Sequence, residues 1–271
     1  MEVAEGEEII SSYLTSIGEE LENIEEKVAS VILFGSLARG DNTEMSDVDL
    51  LIVFKDEVPD SIITKIDNSL TEIEKDYNYV KPPEGILEEL IYALKRKTGM
   101  FVSHFVCKKK DIKEKDFAKI FSTEKVMSSL IAPSTLVLNN MTNDGIILYG
   151  KNLIGEFKQP VSIHSMVKSL IMNLMTSIGS TIIAPFYERS TEISTEALKW
   201  SLLATNQYLT EESEGANEVI RFLKKQGIYS SETLEEFKAL REKLRENPVF
   251  IFKVPPMVVK LHFQAIKHRG I

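Results

Sequence analysis

Two apolar segments, separated by a short polar stretch, constrain the fold of this chain most strongly. Residues 30–34 read Ser-Val-Ile-Leu-Phe and end at Gly35, a pattern typical of a buried strand that runs into a tight turn. Residues 48–54 read Val-Asp-Leu-Leu-Ile-Val-Phe and indicate a second buried strand. Between them, residues 36–39 favour a short helical turn and residues 40–44 have the composition of a loop.

Helices and strands alternate up to about residue 150. Apolar residues at three- and four-residue spacing predict an amphipathic helix over 7–29. Further helices are predicted over 60–75, 84–97 and 113–120, and further strands over 100–107 and 145–150. This alternation predicts a first domain of the α/β (α+β) class with a mixed sheet, which we assign to residues 1–157.

The character of the sequence changes after Gly150, where only helical patterns follow. They cover 161–183, 192–209, 214–225, 231–246 and 256–268. We therefore predict an all-α helical bundle over residues 158–271, with Pro160 close to its start. The most apolar stretch, 169–186, is interrupted by serine, threonine and asparagine. It predicts a buried helix and no membrane span.

Charge and cysteine content narrow the classes of partner. The formal net charge of −9 disfavours binding to a long nucleic acid, because a negative field repels a polyanion. Cys107 is the only cysteine, so the chain has no intrachain disulfide and no cysteine zinc framework. The acidic N-terminus lacks the features of a signal peptide. We expect a cytoplasmic protein, and a homo-oligomer is compatible with the sequence.

The turn after the first strand has residues suited to binding phosphate. Gly35 has no Cβ, so the backbone can turn sharply there and a ligand can approach the main chain. Ser36 follows at the start of the short helix, where its hydroxyl and neighbouring N–H groups suit a phosphate oxygen. Arg39, in the same helical turn, could hold a phosphate or fix a carboxylate through its planar guanidinium group.

Two carboxylates follow at the start of the second strand. Asp47 and Asp49 are two residues apart, so in a strand their side chains project from the same face. A carboxylate pair beside a phosphate site is suited to Mg²⁺ or Mn²⁺, because Mg²⁺ binds a few carboxylate oxygens together with water and substrate phosphates. Such an ion neutralises charge that develops during phosphoryl or nucleotidyl transfer.

The combination of these elements resembles the signature of the DNA polymerase beta-type nucleotidyltransferase superfamily. That signature is an apolar strand ending in Gly-Ser, an intervening loop, and Asp-x-Asp within a second apolar strand. The match at Gly35-Ser36 and 47–49 is similar to the small prokaryotic branch with the minimal nucleotidyltransferases and kanamycin nucleotidyltransferase. The resemblance implies nucleoside triphosphate binding through Gly35 and Ser36, and metal ligation by Asp47 and Asp49.

The same resemblance implies a third carboxylate on a later strand, which the sequence does not show there. The predicted strand 100–107 carries His104, which could replace that carboxylate as general base or ligand, or could be a core histidine with hydrogen bonds satisfied. Asp111 and Asp144 are alternative acids outside any strand pattern. We therefore treat His104 as the candidate third catalytic residue beside Asp47 and Asp49.

Together these features predict a metal-dependent nucleotidyltransferase. It would move a nucleoside monophosphate from a triphosphate, with ATP expected, to a hydroxyl group of a small molecule or a protein. The missing third carboxylate also supports a different hypothesis: a nucleotide-binding regulatory or antitoxin-like protein with weak or no transferase activity.

Overall fold

The computed structural model describes residues 2–40, 48–77, 89, 103–125, 132–212, 214–227 and 232–269. Two compact units divide the chain. The first unit comprises the described residues up to 125 together with 144–158. The second comprises 132–143 and the described residues from 159 onward.

The first unit contains four strands and flanking helices among its described residues. They are α1 (Glu2–Glu22), a 3₁₀ turn (Glu25–Lys27), β1 (Val28–Phe34), α2 (Gly35–Arg39), β2 (Asp49–Phe54), α3 (Asp60–Asp76), β3 (His104–Lys108), α4 (Lys109–Lys113), α5 (Phe117–Ile120), β4 (Ile146–Gly150) and a second 3₁₀ turn (Ile154–Phe157). The strands form one sheet in the order β3-β2-β1-β4. β1 pairs antiparallel with β2 and with β4, while β2 pairs parallel with β3, so the predicted mixed sheet is confirmed.

The two faces of the sheet are covered by different helices. On one face, strand residues pack against α1 and α3 in a core cluster that includes Leu33, Leu50, Ile52, Val106, Tyr13, Ile17, Ile66 and Leu70. On the other face, the ring of Phe105 lies 6.3 Å from that of Phe34 and 4.9 Å from that of Phe121, which follows α5. Side chains alternate along a strand, so neighbouring residues of β2 pack on opposite faces of the sheet.

His104 links β3 to α3 on the face covered by α1 and α3. Its ring is buried, with Nδ1 2.6 Å from Oε1 of Glu74 and Nε2 3.1 Å from Oδ1 of Asp67. Burial lowers the pKa of His104, but the hydrogen bonds and charges of Asp67 and Glu74 outweigh it and raise the pKa to about 9. The protonated ring therefore donates one hydrogen bond to each carboxylate of α3 at neutral pH.

Several predicted element boundaries are corrected by the structure. The helix predicted over 7–29 ends at Glu22, because the strand that follows already begins at Val28. The helix predicted over 113–120 is two short helices, α4 and α5. Between them Lys115 has φ +54°, in the left-handed region that a continuous helix excludes. The helix predicted over 84–97 lies outside the described residues apart from position 89, as do residues 100–102 of the predicted strand 100–107.

The second unit is helical throughout its described residues, as predicted. Its helices are α6 (Ser134–Asp144, whose last residue belongs to the first unit), α7 (Ile163–Ile183), α8 (Ser190–Thr210), α9 (Ala216–Lys225), α10 (Glu232–Glu242) and α11 (Pro248–His268). α11 begins eight residues before the predicted 256–268, because Pro248 starts it and the Asn247 side chain accepts a hydrogen bond from the Phe250 N–H at 3.1 Å.

The helix α6 belongs with the helical unit, although a single boundary at 157/158 places it in the first domain. Leu136 of α6 packs against Met166, Ala204 and Tyr208 in the core of that unit. The side-chain amide of Gln207 also donates a hydrogen bond to the Leu136 carbonyl at 3.0 Å. These contacts draw the segment before β4 into the helical unit, and local sequence patterns carry no information about such long-range packing.

The helix α7 is only partly buried, which corrects the prediction of a buried helix over this stretch. Its buried positions are Ser165, Met166, Ser169, Asn173, Ser177 and Ser180. Its exposed positions are apolar except for His164. By length and composition alone, α7 and α11 both satisfy the criteria for a membrane span, with 28% and 44% of their apolar windows buried in the protein.

The link between His104 and α3 predicts a pH dependence of stability. The pKa of His104 rises from 6.5 unfolded to about 9 folded, so its contribution is complete below pH 6.5 and is lost as the pH rises through 9. We expect about 3 kcal/mol of unfolding free energy to be lost over this interval. Urea unfolding of the wild type at pH 6 and pH 9 measures this loss of unfolding free energy. His104→Gln should remove most of the pH dependence, whereas His164→Gln, at an exposed position, should retain it.

Candidate functional site

The end of β1 and the start of β2 form the centre of the candidate site. Phe34, the last residue of β1, pairs with Asp49, the first residue of β2. Gly35 follows with φ +76°, and a Cβ built on it would overlap Oδ2 of the Asp49 side chain. Both the backbone angle and the contact therefore require glycine at this position. The Asp49 carboxylate lies directly against the Gly35 backbone.

Ser36 and Arg39 lie on the five-residue helix α2 that follows the turn. Ser36 is buried, at 7% relative exposure. The helix ends at Gly40, whose φ of +72° gives the left-handed C-terminal conformation in which its N–H donates to the Leu37 carbonyl at 3.2 Å. The two glycines thus begin and end this helix, and Ser36 follows directly after the glycine that contacts the Asp49 carboxylate.

Arg39 forms an ion pair that the sequence analysis did not identify. Its Nη1 donates to Oδ2 of Asp144 at 2.5 Å, and the two side chains are 12% and 4% exposed. This ion pair is a carboxylate contact of the kind considered for Arg39, and phosphate binding by Arg39 stays a prediction. Few solvent molecules reach this pair, so its charges are screened weakly and the geometry is held firmly.

The topology explains why Asp144 reaches this position. β4 runs antiparallel to β1, with Ile146 opposite Leu33, so the residues just before β4 lie beside those just after β1. Asp144 is the last residue of α6 and precedes β4 by two positions. Sequence reasoning had considered Asp144 only as an alternative acid. The strand predicted over 145–150 puts Asp144 just before a strand, but the sequence does not show which strand pairs with it or in which direction.

His104 and Asp49 lie on opposite faces of the sheet. In the parallel pairing of β2 with β3, His104 lies opposite Leu50, whose side chain belongs to the core under α1 and α3. Asp49 precedes Leu50 by one residue, so its side chain points to the other face of the sheet. The structure therefore gives His104 the position of the second alternative considered, a core histidine with satisfied hydrogen bonds. Asp111 is also elsewhere, accepting the Lys108 N–H at 2.9 Å at the start of α4.

The described part of the site offers one carboxylate that could bind a divalent cation. Asp49 offers a hard carboxylate oxygen ligand at the rim of the sheet, and its residue is partly exposed. The absence of a Cβ at Gly35 leaves the space that this carboxylate occupies. Asp47 and Ser46 lie outside the described residues, and within the described ranges no three His, Cys, Asp or Glu side chains form a cluster that could hold a metal ion.

Comparison with known proteins gives a family match in the first part of the chain. Residues 14–124 match the family described as the nucleotidyltransferase domain. The chain is related to the nucleotidyltransferase superfamily. This confirms the resemblance inferred from Gly35-Ser36 and Asp-x-Asp, and it supports the prediction of a nucleotidyltransferase enzyme. No curated protein matches the chain significantly.

A solved structure is similar in fold to this chain. The spectinomycin adenyltransferase AAD(9) from Enterococcus faecialis, solved with ATP and spectinomycin, aligns with a TM-score of 0.55 at 9% sequence identity. The alignment covers 94% of this chain and 99% of that one. At this identity the likeness shows the fold, and it confirms the predicted succession of an α/β nucleotidyltransferase domain and a helical part.

Replacing Gly35 by alanine tests the close approach of Asp49. We expect Gly35→Ala to destabilise the protein by about 1–3 kcal/mol, because the new Cβ strains a left-handed backbone and displaces the carboxylate. Gly18→Ala in α1 is the matched control, since a Cβ there meets nothing within 4 Å and alanine favours helix. Urea unfolding of both variants gives the comparison. Equal effects of the two changes would contradict the proposed packing.

Replacing Asp144 tests the buried ion pair. We expect Asp144→Asn to lower the unfolding free energy by about 3 kcal/mol, because the buried guanidinium of Arg39 loses its countercharge. The control is Glu72→Gln, which removes the exposed pair with Lys75 and should change stability by about 0.5 kcal/mol or less. In a double-mutant cycle of Arg39→Met with Asp144→Asn, a coupling energy near zero would show that the pair contributes nothing.

Proposed function

We propose that this chain is a metal-dependent nucleotidyltransferase that transfers a nucleoside monophosphate from a nucleoside triphosphate to a hydroxyl group. ATP is the proposed nucleotide, and a small molecule or a protein is the proposed acceptor. The observation that carries the proposal is the carboxylate of Asp49 packed against the backbone of Gly35, directly beside Ser36. This contact supports a metal ligand and a phosphate-binding turn lying side by side at one point of the sheet.

In this proposal Gly35 and Ser36 bind the triphosphate. Gly35 turns the backbone sharply at the end of β1, and in this proposal a phosphate oxygen approaches the main chain there, beside the Asp49 carboxylate. The hydroxyl of Ser36 can donate a hydrogen bond to the same phosphate group. Arg39 supports the turn through its ion pair with Asp144, a more indirect part in nucleotide binding than the sequence alone suggested.

Asp49 is the proposed metal ligand within the described residues, and Asp47 is the proposed second ligand. Their two-residue spacing supports a common face in an extended segment. Mg²⁺, or Mn²⁺ in its place, would bind these carboxylates and the triphosphate, and would neutralise charge on the transferring group and the leaving pyrophosphate. The proposal assigns no proton transfer to His104, whose ring faces α3 on the other side of the sheet.

The nature of the acceptor is supported by charge and by the structural neighbour. The chain carries a net charge of −9, which disfavours a polyanionic acceptor such as RNA. The neighbouring adenyltransferase was solved with ATP and with spectinomycin, a small molecule. These two observations favour a small hydroxyl-bearing acceptor, with a protein side chain as the second choice. The cytoplasmic location that we propose rests on the sequence alone, with its single cysteine.

An assay with α-labelled ATP and Mg²⁺ tests the proposal. Label should transfer to one member of a panel of hydroxyl-bearing small molecules and proteins, with release of pyrophosphate. Asp49→Asn should reduce the transfer rate by about a hundredfold or more, because an amide cannot replace the anionic metal ligand. Asp76→Asn, at an exposed position at the end of α3, is the matched control and should keep wild-type activity.

Equilibrium binding separates this enzyme from the regulatory alternative. Calorimetry with a non-hydrolysable ATP analogue, with and without Mg²⁺, should show Mg²⁺-dependent affinity that Asp49→Asn removes. Tight Mg²⁺-dependent binding without any transfer across the panel would favour a nucleotide-binding regulatory or antitoxin-like protein. Undiminished binding by Asp49→Asn would show that the metal assignment is wrong.

A further inference from the structure

The helix α7 carries an uninterrupted apolar stripe on its exposed side. The stripe comprises Ile163, Val167, Ile171, Met175, Ile178 and Ile182, and continues to Phe186 just beyond the helix. Their relative exposures run from 41% to 79%. Successive members are three or four residues apart, so they form one line along a helix of 21 residues. We refer to these seven residues as the α7 stripe.

The buried side of α7 is mostly polar, because five of its six buried residues are serine or asparagine and the sixth is Met166. Ser169 accepts a hydrogen bond from the amide of Asn173 at 3.1 Å and contacts Nε2 of His262 at 3.0 Å. Ser180 is hydrogen-bonded to Ser194 of α8. Small polar residues, together with Met166 and the partly buried Leu170 and Leu174, therefore pack α7 within the helical unit, while the residues of the α7 stripe stay exposed. A monomeric soluble protein rarely exposes an apolar patch larger than a few hundred Å².

Six of the seven residues of the α7 stripe form three pairs that share one midpoint, and the seventh, Met175, lies next to that midpoint. Ile171 and Ile178 lie at equal sequence distances from the midpoint between Leu174 and Met175, and so do Val167 and Ile182. The outermost pair, Ile163 and Phe186, has the same midpoint. A two-fold axis through that midpoint brings each residue of a pair opposite its counterpart on an antiparallel copy. This self-complementarity is what an interface between two identical chains requires.

We propose that two copies of this chain associate through the α7 stripe, with their α7 helices antiparallel about a two-fold axis near Met175. The pairing creates no like-charge contact, because the one residue of α7 with a full charge, Lys168, falls opposite Thr181 of the second copy. Each chain carries a net charge of −9, so association is most favourable along a face that lacks acidic residues.

The exposed area fits an interface of ordinary size. At the exposures given above, the seven side chains present roughly 700–800 Å², close to the roughly 800 Å² that each partner contributes to a standard protein–protein interface. The helix α11 also exposes apolar side chains, at Val249, Phe252 and Phe263, each between 61% and 66% exposed. A membrane surface is a poorer fit, because helices that bind membranes carry lysine and arginine along the polar face and this face of α7 is serine-rich.

Cysteine cross-linking tests the position of the two-fold axis. Met175→Cys should be joined to its copy by a short bis-maleimide reagent, since the two thiols would lie on facing helices within about 10 Å. Phe186→Cys is the control, because the same symmetry separates the two copies of this residue by about 35 Å. The native Cys107 does not interfere, since it is buried and burial raises the pKa of its thiol. Equal cross-linking at both positions would overturn the proposed geometry.

Light scattering of the full chain tests the association itself. The wild type should be a dimer, and Ile171→Glu should raise the dissociation constant roughly a hundredfold or more, because a carboxylate would be buried near the axis in each copy. Ile9→Glu, at an isoleucine of α1 that is 49% exposed, should leave the dimer intact. A monomeric wild type at all concentrations would overturn the proposal, as would flotation with neutral vesicles that Ile171→Glu abolishes.

Discussion

The contact between Gly35 and Asp49 is the constraint on which the candidate site depends. The carboxylate occupies the space that any other residue would fill with a Cβ, so the turn after β1 and the start of β2 are built around one another. The pairing of Phe34 with Asp49 fixes their register. A shift of one residue would turn Asp49 into the core under α1 and α3 and would bring an aliphatic side chain to the turn.

The same turn is held from its other side by Asp144. β1 lies between β2 and β4, so the residues just after β1 have a neighbour on each flank. One neighbour presents the Asp49 carboxylate to the backbone of Gly35, and the other presents the Asp144 carboxylate to Arg39 at the end of α2. The short helix α2 is therefore fixed at both ends, although five residues give it little stability of its own. A phosphate-binding turn gains from this rigidity, because less entropy is lost when the ligand binds.

Local patterns in the sequence predict the strands and the turn of this site. They do not predict which distant residues its side chains contact. The two apolar strands, the glycine turn and Asp49 could be predicted because each follows from residues close together in the chain. The Arg39–Asp144 pair joins residues far apart in sequence and depends on the direction of β4. The surroundings of His104 depend in the same way on which helix covers its face of the sheet. Periodicity could place this residue on a face without identifying the helix above it.

The helix α7 shows a second limit of local patterns, because periodicity reveals two faces without showing which one is covered. Apolar residues normally indicate the buried face, and that assumption predicted a buried helix. In the structure the serine face packs inward, where small side chains allow close approach of α8 and α11 and their hydroxyls find partners such as His262 and Ser194. The apolar face then stays exposed and contributes little to the core of one chain. The symmetry of this face about Leu174 and Met175 has no role in a monomer. In a dimer the symmetric pairs would face each other, one residue from each copy.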